Sequence, residues 1–294
     1  MNILIFGATG MLGHAVFHVL SSDKRLKVFG TIRSKVSKNL FPEEFSENLI
    51  SNIDVENDQS LKKSFEISQP DIVINCVGII KQLSDAKDVL KTIPINTLLP
   101  HRLALLSKNF NSRLILVSTD CIFSGAKGKY SETDFPDCND LYGRSKLLGE
   151  IIDRPNVLTI RTSIIGHELR GGHSLVNWFL EQQNPVIGFS NAYFSGLPTN
   201  ELALMIKEII IRYKDLNGLY HISSNPISKY ELLCLIAKIY KKEIEIKKSG
   251  DLIIDRSLNH QKYSNATGYK PKTWEDLILS MKKFGDSTSE MNDS

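Results

Sequence analysis

The chain is poor in the features that mark secreted, membrane-spanning or nucleic-acid-binding proteins. It has four cysteines in 294 residues. Cys76, Cys121, Cys138 and Cys234 are too widely spaced for a zinc cluster or a disulfide framework, and they read as reduced thiols of a cytoplasmic protein. No apolar run approaches the ~18 residues that a bilayer span requires, so no membrane partner is expected. The opening "MNILIFGATG" lacks the basic segment and small-residue cleavage site of a secretory signal. Neither charge sign dominates. The net charge is +3, and the basic residues are scattered apart from pairs such as Lys62-Lys63 and Lys241-Lys242, so no nucleic-acid surface is expected. The two tryptophans, Trp178 and Trp274, sit in amphipathic patterns and read as core. There is no internal repeat. With 41% apolar residues the chain can bury one large domain, or a domain and a smaller lobe.

Short apolar runs alternate with amphipathic stretches through the N-terminal half. "NILIF" (2–6), "LKVFGTI" (26–32), "DIVINCV" (71–77), "RLILVS" (113–118) and "VLTIRTS" (157–163) read as buried parallel strands. Helical patterns at 11–22, 58–67 and 96–109 lie between them. The alternation predicts an α/β fold, a doubly wound parallel sheet of Rossmann type, over residues 1–165. Beyond it the rhythm loosens. Helical patterns near 173–183, 199–213, 228–241 and 273–283, with short strand-like runs at 219–223 and 243–247, predict a smaller α/β substrate lobe over 166–283. Segments near 190–215 are expected to return to the main core. The polar stretch 285–294 is expected to be a disordered tail.

"GATGMLG" follows the first strand and opens the first helix, the context that gives a glycine motif meaning. Gly7, Gly10 and Gly13 let the backbone approach a pyrophosphate, whose charge then sits on free N–H groups at the helix N-terminus. Thr9, Met11 and Leu12 complete this cofactor loop. At the end of the second strand an acidic residue selects NAD and an arginine accommodates the extra phosphate of NADP. "GTIRSKVSK" supplies Arg33, Lys35 and Lys38 with no carboxylate before Glu43, which favours NADP(H) while leaving NAD open.

"VSTDCIFSG" (117–125) follows the "RLILVS" strand, which puts Ser118 and Thr119 at the carboxyl edge of the sheet, where ligands bind in such folds. Tyr142 and Lys146, in "DLYGRSKLLGE", lie one helical turn apart on a following helix. Hydride reduction of a ketone leaves negative charge on its oxygen, which must be stabilised and protonated. Thr119 can align the carbonyl. A phenol is a poor donor at neutral pH unless a nearby cation lowers its pKa, and Lys146 can supply that cation. The lysine can also hold the nicotinamide ribose.

In these features the chain resembles the extended short-chain dehydrogenase/reductases, and within them the dTDP-4-dehydrorhamnose reductase family. The resemblance rests on the G-x-x-G-x-x-G loop, "STDCIFSG" and "YGRSK", with "RTSIIG" (161–166), "FSGLPTNELA" (194–203) and "GLYHISS" (218–224) downstream. It covers about residues 1–283. It implies Thr119, Tyr142 and Lys146 as catalytic residues, with Ser118 structural. It puts Asp54 and Val55 near the adenine, and Cys76, Val77 and Gly78 of "NCVGII" along the cofactor. Asn96 takes a structural or proton-relay role, and Tyr142 and Lys146 also touch the cofactor. Asp120 and Arg161 fall on substrate-side positions. Where the family often carries an aromatic after the R-T-S block, Ile164 and Ile165 stand here, so a uridine-linked sugar fits as well as a thymidine-linked one. The implied activity is NADP(H)-dependent reduction of the 4-keto group of a nucleotide-linked deoxysugar, in surface polysaccharide precursor synthesis. A magnesium requirement and a homodimer are left open. The alternatives are a nucleotide-sugar epimerase using the same triad, or a redox-inactive regulatory or binding subunit.

His14 and His18 have a metal-compatible spacing, but the glutamate of a metalloprotease motif is missing and packing accounts for both, so no metal site is assigned. "HELRGGH" (167–173) reads as a hinge or lid beside the substrate lobe. "DRSLNHQKYSN" (255–265) reads either as a solvated loop or, by the family resemblance, as a block near the substrate entrance.

Overall fold

The computed structural model describes residues 1–81, 84–169, 172 and 174–292. Seven parallel strands form the central sheet: β1 (Asn2–Phe6), β2 (Lys27–Thr31), β3 (Leu49–Ile50), β4 (Ile72–Asn75), β5 (Arg113–Thr119), β6 (Val157–Thr162) and β7 (Gly218–His221), in the order 7-6-5-4-1-2-3. The order reverses between β1 and β4, which opens the crevice in which such sheets bind ligands.

Alternation along each strand builds the two faces. Ile3 and Ile5 of β1, with Ile74, Ile115 and Ile160, pack under α1 (Met11–Ser21). Leu4 and Phe6, with Val73, Leu114 and Leu116, pack on the opposite face against α2 (Asp58–Ser68) and α3 (Leu99–Asn109). Buried on both faces, these strands carry apolar residues at nearly every position, as parallel strands must. α4 (Leu141–Leu148) follows β5 and begins at Asp140, whose carboxylate accepts the Gly143 N–H at 2.8 Å and caps it.

The C-terminal half contains α5 (Leu175–Glu181), α6 (Thr199–Arg212), α7 (Lys229–Tyr240), α8 (Gln261–Thr267) and α9 (Trp274–Asn292). A separate core of Val176, Phe179, Phe194, Leu232, Ile236 and Ile278 holds the lobe together. The lobe is not one continuous stretch. α6 lies against α1 in the main core, its Leu202, Ile206 and Ile209 buried there. The strand-like run at 219–223, expected in the lobe, forms β7 at the edge of the main sheet, registered on β6. Its pairing partner lies some sixty residues upstream, so sequence rhythm could not place it.

Two further expectations are corrected. The tail from residue 285 is helical as far as Asn292, because α9 continues through it. Phe284 packs on His14 and His18 of α1, with ring centroids 6.3 and 5.5 Å apart, and the Thr288 hydroxyl donates to the Phe284 carbonyl. An anchored helix extends at little nucleation cost, whatever its polarity. Trp274 packs on Phe194 of the lobe, but Trp178 is 38% exposed and is no core residue.

Candidate active site

The glycine loop leaves β1 through Gly7, whose φ of +84° suits glycine alone, and Gly10 N–H closes a turn on the Gly7 carbonyl at 3.0 Å. A side chain at Gly13 would collide with the carbonyl of Gly7, so this glycine lets α1 start tight against the turn. No side chain caps the first N–H groups of α1 at Gly10. This shallow cradle of uncapped N–H groups at a helix start suits a pyrophosphate. Thr9, Gly10 and Met11 keep part of their surface accessible there, while Leu12 is buried.

Arg33 is exposed just beyond β2, and Lys38 is engaged with the Ser46 carbonyl at 2.8 Å. Asp54, exposed beyond β3, accepts the Glu56 N–H. Val55 follows it, partly buried under α2 and α3. Cys76, Val77 and Gly78 leave the end of β4, and the loop they open is held by Asn96. Asn96 lies in a π-helical turn, Ile93–Leu98, that precedes α3, and its amide also donates to Ser145 Oγ of α4 at 3.2 Å. Such turns recur at functional sites because the extra residue redirects one side chain.

Thr119 ends β5, and its hydroxyl donates to Asp120 Oδ1 at 3.2 Å and accepts the Cys121 N–H at 3.1 Å. Tyr142, on the first turn of α4, is close enough to Thr119 for that hydroxyl to act on the phenol. Burial pushes the phenol above its ordinary value, with Cys121 and Asp120 adding to the effect against the bond from Thr119. Lys146 is engaged with the strand. Its ammonium donates to the Val117 carbonyl at 2.9 Å, one strand position before Ser118. The expected lowering of the phenol pKa by the lysine is therefore corrected: desolvation dominates, and Tyr142 is held protonated. Burial brings Lys146 down to about 8, against the pull of Glu150.

Thr119, Tyr142 and Lys146 thus meet at the carboxyl edge of β5, with Gly78 and Asn96 alongside the lysine. Asp120 is buried beneath Thr119, and burial raises its pKa against the charge of Arg256. Arg161 stands apart from the surface of the site. Its guanidinium is fully buried on Glu150, which also accepts the Ser118 hydroxyl at 2.6 Å. The Ser118 hydroxyl is thus tied to the buried ion pair.

Two residues were missed in the sequence. Glu150 falls one turn beyond Lys146, a spacing that was available as a signal. Arg256 lies in the 255–265 block, where Nε donates to the Phe123 carbonyl at 2.8 Å and its charge acts on Asp120. That contact seats the block against the "STDCIFSG" segment. His14 is buried against Phe41, with centroids 5.6 Å apart. Among the described residues no cluster of three or more metal-ligating side chains occurs, and no helix is long and apolar enough to cross a membrane. Arg170, Gly171 and His173 of the expected hinge lie outside the described residues.

Residues 1–281 match the family model described as the RmlD substrate binding domain. A spore coat polysaccharide biosynthesis protein, SpsK of Bacillus subtilis (strain 168), is 27% identical over 94% of this chain and 95% of its own. The methionine adenosyltransferase 2 subunit beta of Danio rerio is 27% identical over 81% of this chain and 74% of its own. A dTDP-4-dehydrorhamnose reductase of Aggregatibacter actinomycetemcomitans is 23% identical over 97% and 99%. Two solved structures share the fold. A dTDP-4-dehydrorhamnose reductase of Clostridium acetobutylicum has a TM-score of 0.80 at 20% identity, over 97% of this chain and all of that one. One from Bacillus anthracis in complex with NADP has a TM-score of 0.79 at 19% identity, over 97% and 99%.

Proposed function

We propose, from the premise that this chain belongs to the RmlD substrate binding domain family, that it is an NADP(H)-dependent reductase of the 4-keto group of a nucleotide-linked deoxysugar. The observation that carries the reading is the placement of Thr119 at the carboxyl end of β5 with Tyr142 and Lys146 one turn apart on α4, the lysine donating to the Val117 carbonyl of the same strand. The uncapped start of α1 and the close approach at Gly13 fit a dinucleotide pyrophosphate, and Arg33 beyond β2 favours the 2′-phosphate.

When bound, the reduced nicotinamide supplies a hydride to the carbonyl carbon. Thr119 and Tyr142 receive the carbonyl oxygen between their hydroxyl groups, and Tyr142 delivers its phenolic proton to that oxygen as charge develops. Burial keeps the proton on the phenol but makes it a weaker acid, so the proton leaves only as the carbonyl oxygen takes on negative charge. Lys146, charged below about pH 8, stabilises the phenolate left behind and offers its ammonium to the ribose. The likeness to a polysaccharide biosynthesis protein supports a role in making a precursor of surface polysaccharide.

Incubation with NADPH and a panel of nucleotide-linked 4-keto-6-deoxysugars, both thymidine- and uridine-linked, tests the reading. Nicotinamide oxidation with at least one is expected, and its absence across the panel overturns it. The likeness to the methionine adenosyltransferase 2 subunit beta supports a second reading, a redox-inactive binding subunit. NADPH binding with no turnover, together with tight association to a methionine adenosyltransferase catalytic chain, favours that one.

A further inference from the structure

Lys146 occupies a site where a charge is hard to keep. Its ammonium is buried behind Gly78, beside Asn96, with the Val117 carbonyl as its hydrogen-bond acceptor. A carbonyl satisfies one proton and neutralises nothing. One turn along the chain, Glu150 follows the end of α4, its N–H bonded to the Leu147 carbonyl at 3.1 Å. A small pocket with room for about one water is lined by Lys146 and Glu150 together with Asn75, Asn96, Ser118 and Thr159.

Glu150 is held from its other side. Arg161 Nε donates to Oε1 and Oε2 at 2.9 and 3.1 Å, Nη2 donates to Oε2 at 2.7 Å, and Ser118 Oγ donates to Oε1. The chain of contacts continues to β7. His221 Nδ1 faces the Tyr130 carbonyl at 3.0 Å and therefore carries the proton, so Nε2 can accept from Arg161 Nη1 at 3.4 Å. Burial brings His221 down to about 3, so it stays neutral.

We infer that Glu150 is the positioning residue that keeps Lys146 charged in the active site, and that Arg161 sets how much of the Glu150 charge reaches it. The inference rests on the reductase reading for its consequence, because a charged Lys146 is what the phenolate of Tyr142 needs. The remaining titratable neighbours of Lys146 do not replace Glu150. Cys76, from the end of β4, is pushed up to about 12 by burial and is neutral. Tyr142 is held protonated on the same helix. Asp140 at the start of α4 is paired with Lys81 at 2.6 Å. Among the described residues only Glu150 offers Lys146 a negative charge from within the site, and Arg161 draws part of it away. Losing one partner or the other should therefore move Lys146 in opposite directions.

Competitive acetylation with acetic anhydride, from about pH 5 to about pH 10 and read at the Lys146 peptide by mass spectrometry, follows the titration directly in the cofactor-free chain. Glu150→Gln is expected to lower the midpoint for Lys146 by about one unit or more, and Arg161→Met to raise it. Arg161→Lys, which keeps the charge, should leave it near the wild-type position. If Glu150→Gln does not fold, the double variant Glu150→Gln/Arg161→Met removes both buried charges together and should still show a lowered midpoint. An unmoved midpoint in Glu150→Gln or in the double variant overturns the inference, as does a shift of both single variants in one direction. The panel assay on the wild-type chain is read separately. Opposed shifts without ketone reduction leave this inference standing and sink the reductase reading, whereas reduction without opposed shifts does the reverse.

Discussion

Asn96 holds Ile79 from both ends of its peptide. The Asn96 Oδ1 accepts the Ile79 N–H at 2.9 Å, and Nδ2 donates to the Ile79 carbonyl at 3.1 Å. One side-chain amide thus replaces a strand partner for the loop that leaves β4 beside the cofactor crevice. Asn96→Ala leaves both backbone groups of a buried residue unpaired, at a cost of about 1–3 kcal/mol each. The variant should unfold at lower urea concentration and bind NADPH more weakly, as followed by nicotinamide fluorescence. Unchanged affinity would mean the loop is ordered without Asn96.

Tyr142→Phe removes the proposed proton donor and little else, since the ring stays in place. Turnover with the accepted sugar should fall by about 10² to 10⁴, while the dissociation constant for NADPH stays close to that of the wild type. Steady-state kinetics and a cofactor titration, run on one preparation, separate the two effects.

Gly13→Ala forces a methyl group onto the Gly7 carbonyl and opens the turn that cradles the pyrophosphate. NADPH binding should weaken by about tenfold or more. Calorimetry on the variant, paired with a thermal melt to exclude global unfolding, checks it.

Arg33 is exposed at the end of β2, free to meet a 2′-phosphate. For Arg33→Ala the KM for NADPH is expected to rise by about tenfold, with the KM for NADH nearly unchanged, because only one of the two carries the phosphate. Equal losses with both cofactors argue against its role in selection.

Stability should fall on the acid side. His14 is buried between Phe41 and Phe284, and burial brings its pKa from 6.5 down to about 4, with His18 adding to the shift. The unfolded chain therefore binds a proton that the folded chain refuses between these values. The stability present above pH 6.5 drains away as pH falls toward about 4, at about 1.4 kcal/mol per unit from this group. His14→Phe should flatten that slope in urea titrations at a series of pH values. An unaltered slope would assign the acid lability elsewhere.

The glycine loop, the S-T-D segment and Y-G-R-S-K could be read in the sequence because each is local: a turn, a strand end and one helical turn. Five of the seven strands were legible for a related reason, since burial on both faces leaves an unbroken apolar run. β3 escaped notice because two residues, Leu49 and Ile50, make too short a run. β7 was seen as a strand but put in the wrong layer, since only its register on β6 decides where it lies. Arg161 resembled a substrate residue by position, yet its side chain lies buried on Glu150.

The order of chemical parts along the chain was thus set by the sequence alone: the cofactor loop, the basic residues after the second strand, and the hydroxyl, phenol and ammonium in turn. Each depends on residues within a few positions of one another, where backbone preference and helical spacing decide geometry. What the charges of those parts would be was left to the tertiary structure. Burial overrides the neighbouring cation at Tyr142, and a carboxylate held by an arginine from another strand sits behind Lys146. Desolvation and ion pairing depend on what surrounds a group in space, and that is assembled from strands far apart in sequence.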